Sequence, residues 1–84
     1  MNFEKTVSAR TASFCTGLNY STLKKDIELG RLIATKNSSG NYEIRVIDLV
    51  DYAISLWKSE RNILICPLNV FFHRVQYMIF HIYD

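Results

Sequence analysis

Six consecutive residues set Tyr20 and Ser21 just ahead of Lys24 and Lys25. Ammonium groups at that spacing neutralise phosphate or donate to guanine O6 and N7, and the hydroxyls bond base edges or phosphate oxygens. Other cations stand where they suit the same chemistry as phosphate clamps: Arg10 and Arg31 on either side of this segment, Lys36 and Arg45 flanking a polar stretch that contains Ser38. Each assignment has a plainer counterpart. Lys24 and Lys25 also fit a solvated helix surface, with Glu28 four residues after Lys24 in the weaker orientation for an ion pair. Tyr20 fits a packing residue over a turn, and Ser38 fits an ordinary hairpin tip.

Other chemistry finds little support. His73 and His81 would lie about 12 Å apart along a helix axis, too far for one metal ion. Cys15 and Cys66 read as free thiols, since Met1-Asn2-Phe3-Glu4-Lys5 lacks the apolar core of a secretory signal and a reducing cytoplasm is expected. No Gly-rich phosphate loop and no partnered nucleophile occur, so the sequence predicts neither an enzyme nor a cofactor, metal ion or small-molecule substrate.

These side chains need elements to hold them. Ser8 is placed to cap a helix to about Thr16, with Ala12, Phe14 and Cys15 near one face and Gly17 as the left-handed stop. Asn19 is the next capping candidate, and Leu23 and Ile27 form the buried stripe of a second helix that ends at Gly30. The turn from Gly17 to Tyr20 is short enough to make a helix-turn-helix. Residues 32–36 then read as a strand, 37–40 as a turn and 41–45 as the returning strand. A third helix starts near Asp48, whose charge suits the helix dipole, and turns Leu49, Val50, Tyr52, Ala53, Leu56 and Trp57 inward as far as about Glu60. Pro67 suits the first position of a last helix, in which Leu68, Phe71, Phe72, Val75, Ile79 and Ile82 make one apolar face.

The expected fold is therefore mainly α with a small β-hairpin wing: a winged helix-turn-helix plus a C-terminal apolar helix. Residues 1–6 form an arm, 7–60 the winged unit and 61–84 the apolar helix. Eighty-four residues supply one core, and 49% hydrophobic with 21% charged residues excludes a disordered or collagen-like chain. The net charge of +2 is small, but its distribution is uneven. Lys5, Arg10, Lys24, Lys25, Arg31 and Lys36 face only Glu4, Asp26 and Glu28 in the first 36 residues. The stretch 63–83 is interrupted by Pro67, Asn69, His73, Arg74, Gln76 and His81, so no membrane span is expected.

Val7-Ser8, Ala12, Gly17-Leu18-Asn19, Ser21-Thr22-Leu23, Ile27, Gly30-Arg31-Leu32, Gly40, Ile44 and Asp48-Leu49 with Tyr52 follow one another in an order that resembles the excisionase-type, MerR-like winged helix-turn-helix family. The resemblance covers residues 7–57 and implies double-stranded DNA as partner. It also implies a small phage- or mobile-element-type protein, acting as a transcriptional regulator or a recombination directionality factor. Two positions depart from it: Thr11 replaces the acidic residue usual before the Ala, and Asp26 stands where an apolar residue is common. The first leaves Ser8 without a reciprocal carboxylate; the second suggests an exposed side of the helix or a carboxylate that pairs with a base. The last helix is read as a lid over the core, as the interface of a homodimer through Leu68, Phe71, Phe72, Val75, Ile79 and Ile82, or as a segment docked on a membrane surface, for which one Arg and two mostly neutral His make a poor basic face. The alternative function is a protein-interaction adaptor or antagonist that keeps the fold and does not bind DNA.

Overall fold

The computed structural model describes residues 5–59 and 65–82, with side chains to residue 78. It is mainly helical, with a small antiparallel sheet. Among the described residues the order is β1 (Thr6–Ser8), α1 (Ala9–Thr16), α2 (Tyr20–Glu28), β2 (Thr35–Lys36), β3 (Tyr42–Arg45), α3 (Val46–Lys58) and α4 (Leu68–Ile82). No helix among them is long and apolar enough to cross a membrane.

Ser8 starts α1 as its cap: its Oγ accepts the Thr11 amide and donates to the Thr11 hydroxyl, both at 3.1 Å. The Thr11 hydroxyl thus takes a place beside Ser8 that a carboxylate takes in a capping box. Gly17 ends the helix at φ 75°, the left-handed conformation expected of it. Asn19 precedes α2 in extended conformation but makes no side-chain cap. After Glu28 the chain turns back at once, with the amides of Arg31 and Leu32 both bonded to Asp26 O. That turn corrects the expected strand 32–36. Leu32 is buried in the core rather than laddered, and only Thr35 and Lys36 reach the sheet.

β3 is the central strand, between β1 and β2. The register sets Val7 opposite Ile44 and Lys36 opposite Tyr42. Val7 and Ile44 are both buried, so one sheet face closes on the helices. β1 corrects the assignment of residues up to 6 as an arm: Thr6 pairs with Arg45, and the Lys5 carbonyl accepts the Val46 amide. Three residues with a single buried member are too few to show strand alternation in the sequence.

The core joins Ala12, Cys15, Leu18, Leu23, Leu32, Ile44, Val46, Leu49, Tyr52 and Ala53 with Phe71 and Val75 of α4. Phe14, expected on the inner face of α1, is instead 46% exposed. Ala12, Cys15 and Thr16 occupy the inward positions and leave Phe14 under the guanidinium of Arg74, 5.1 Å from its ring centroid. α4 begins one residue after Pro67, whose carbonyl accepts the Phe71 amide. It packs chiefly on α1.

Candidate nucleic-acid interface

Leu23 is fully buried and Ile27 partly so, which fixes how α2 sits and turns Tyr20, Ser21, Lys24, Lys25 and Glu28 to solvent. Lys24 and Lys25 are exposed, and no carboxylate among the described residues lies within ion-pair distance of either; the Lys24 to Glu28 pair is not formed. Successive helical residues diverge by about 100°, so the two ammonium groups leave α2 on different flanks. Lys25 lines an open groove of about 560 Å³ between α2 and α3 with Thr22, Asp26, Arg31, Tyr52, Ser55, Leu56 and Ser59. Tyr20 stands on the opposite flank.

There the starts of α1 and α2 meet the wing. Ser8, Ala9, Arg10, Tyr20 and Asn41 line a second open groove, of about 790 Å³, with no acidic side chain among the described residues of its walls. Arg10 is exposed and unpaired among the described residues. Neither α1 nor α2 carries an acid in its first turn, and α2 lacks a side-chain cap, so its first amides remain available to an anion.

The other cations are engaged. Arg31 lies 3.7 Å from Asp26 and Arg45 is bonded twice to Asp48, its Nε at 2.9 Å. Both were expected to hold phosphate; each first meets a carboxylate of its own chain. Lys36 sits 5.3 Å from the Tyr42 ring centroid and remains exposed. The wing tip, expected as a turn over 37–40, is knotted by Asn37, whose Oδ1 accepts the amides of Ser39 and Asn41 while its carbonyl accepts that of Gly40. Ser38 is exposed at that tip.

Asp26 is the largest departure from expectation. It is buried, and Tyr52 donates to its Oδ2 at 2.5 Å. Burial, and next the bond to Asp26, push the Tyr52 hydroxyl well above its ordinary range. A carboxylate three residues after Leu23 falls on the buried side of α2, so it needs a donor, and α3 supplies one. The apolar stripe of α4 divides. Phe71 and Val75 are consumed by the chain's own core, Phe72 is partly buried, and Leu68 is exposed; the side chains of Ile79 and Ile82 lie outside the described residues. Nothing local signals that Ser8, Ala9 and Asn41 share a wall with Tyr20, because separate elements bring them together.

Set against known proteins, the chain matches no family model, no curated protein and no solved structure.

Proposed function

We propose that this protein binds double-stranded DNA as a winged helix-turn-helix, with α2 laid in the major groove and the hairpin of β2 and β3 as its wing. One observation carries the reading: α2 buries Leu23 and presents Lys24 and Lys25, both without carboxylate partners among the described residues, on its two exposed flanks. A single helix fits a groove about 12 Å wide, and its N-terminal residues meet base edges first. Tyr20, Ser21 and Lys24 then read bases, while Lys25, Arg10 and Lys36 hold phosphate on either side. The groove between α1, α2 and Asn41, without acids among the described residues, is where one backbone strand would run. The resemblance in residues 7–57 extends this to a cytoplasmic regulator or recombination directionality factor of a phage or mobile element.

Changing Lys24 and Lys25 together to Ala should weaken retention of duplex in an electrophoretic retardation assay by about tenfold or more, on the order of one lost contact or two. The far-ultraviolet circular dichroism should stay as in the parent, because both side chains are exposed. Retained affinity with an unaltered salt dependence overturns the proposal.

A second reading has one observation in its favour. Leu29 and Ile33, 56% and 63% exposed, follow the C-terminal end of α2, where an adaptor would present an apolar patch. An adaptor gives no retardation of duplex even at low salt.

A further inference from the structure

The last four carbonyls of α1 have no further helical turn to receive them. The Gly17 amide bonds Ser13 O at 2.9 Å, and one distant segment takes the other three. Arg74 Nη1 donates to Phe14 O at 2.9 Å, the Cys66 thiol to Cys15 O at 3.1 Å, and the Cys66 amide to Thr16 O at 2.9 Å. Trp57 Nε1 completes the fastening by donating to Cys66 O at 3.0 Å. Every polar group of Cys66 is thus spent on tying the approach of α4 to α1 and α3.

The tie reaches α2. Thr16 Oγ1 donates to Ala12 O and accepts the Leu18 amide, and Ser13 Oγ donates to Leu18 O, so the turn between the helices is bonded to the last turn of α1. Gly17 lies directly under Cys66, where an added Cβ would stand 3.5 Å from the cysteine Cβ. The one cysteine that solvent partly reaches is therefore also the one that closes α1.

We propose that residues 66–74 form a thiol-gated strap on the helix pair: exchange of Cys66 with a low-molecular-weight disulfide releases the start of α4 from α1 and weakens duplex binding. The effect on affinity rests on the function proposed above; the release of α4 does not. In the exchange the Cys66 thiol gives its proton to solvent and the thiolate attacks one sulfur of the disulfide. The reagent's own S–S bond breaks as the mixed disulfide forms, and the departing thiolate takes up a proton. The product has no S–H to donate to Cys15 O and carries its new bulk between α1 and α4. Cys15 does not compete, being buried and pushed up to about 12 by that burial, with the Cys66 thiol adding to the rise. Burial also raises Cys66, against the pull of Arg74, so exchange should quicken as pH rises.

Oxidised glutathione added to the full chain tests this through intact mass, the emission of Trp57, the only tryptophan, and duplex retardation. The expected result is one adduct, present on Cys15→Ser and absent from Cys66→Ser, with a red shift of Trp57 emission. Duplex affinity should fall roughly tenfold, as for a typical coupling between two sites, and reductant should restore both signals. Cys66→Ser retains a donor for Cys15 O and should match the parent untreated. Should that variant fail to fold, the reversible cycle on the parent decides alone. An adduct that leaves emission and affinity unmoved overturns the proposal, as does a native chain that takes no adduct while the unfolded chain does. If the untreated chain does not retard duplex, the DNA reading fails by itself and the emission shift still decides the strap.

Discussion

Asp26 and Tyr52 make the one deeply placed polar contact between α2 and α3, and its cost and benefit can be weighed. A buried carboxylate is tolerated only with donors, and here the phenol supplies the short bond while Arg31, half exposed, stands 3.7 Å away. Tyr52→Phe removes the hydroxyl and leaves the carboxylate with Arg31 alone, so it should destabilise the fold by about 1–3 kcal/mol, read as a lower urea midpoint. Asp26→Asn keeps an acceptor for the phenol and should cost less; equal costs would show that the hydroxyl bond carries no special weight. The same contact sets an alkaline limit. Tyr52 is raised above its ordinary 10.0 and Cys15 above 9.0, each first by burial. Both stay neutral longer in the folded state than in the unfolded one. Their contribution is complete below pH 9 and is lost as pH climbs, Cys15 from about 9 towards 12 and Tyr52 from 10 upward. Denaturant midpoints should be level near neutrality and fall beyond pH 9, and Tyr52→Phe should flatten the part above 10. A midpoint unchanged to pH 11 contradicts this. The residue type of Asp26 points outward, whereas its angular position three residues after Leu23 points inward. Its partner, 26 residues away, leaves no local signature.

Between elements, the closures at the ends of α1 differ in how far they were legible. Ser8 and Gly17 announce the helix by residue type, and both perform as read. The spacing of Leu23 with Ile27, and of Leu49 with Tyr52 and Ala53, likewise marks two helix faces in the sequence itself. The seat of α4 did not show. An apolar stripe says that a face is buried, not against what, and Phe71 and Val75 suited an interface as well as a lid. Nor did Cys66 or Arg74 carry a sign of capping, since their acceptors lie 51 and 60 residues away. Gly17 lies where both facts meet, and it separates strain from packing. Gly17→Ala must place a Cβ in left-handed backbone and against Cys66, whereas Gly40→Ala, at φ 82°, has open space around its Cβ. Backbone strain alone costs about 1–2 kcal/mol, so both variants should melt lower, with Gly17→Ala the lower of the two. Equal melting temperatures would mean that α4 gives way freely at Cys66.

On the scale of the whole molecule, the longest extent is 36 Å, close to the roughly 34 Å that separates two half-sites one duplex turn apart. On the DNA reading proposed above, one chain has the reach of a single half-site, and its affinity depends on how many cations it can spend on phosphate. A count by sequence includes Arg31 and Arg45, but both sit against carboxylates, and drawing them to phosphate leaves Asp26 or Asp48 without its cation. Those two contacts largely exchange one anion for another and release little counterion. Arg10, Lys24, Lys25 and Lys36 face no such exchange, although Lys36 must leave the Tyr42 ring. With Lys24 reading bases, Arg10, Lys25 and Lys36 neutralise three phosphates and give a slope of log affinity against log salt of about −2.7. Removing Arg45 should hardly alter that slope, and removing Arg10 should make it shallower by about one. A slope of −5 or steeper, reduced by Arg45→Ala as much as by Arg10→Ala, would mean that the carboxylates release their arginines on contact with DNA and that the surface charge is rearranged rather than merely presented.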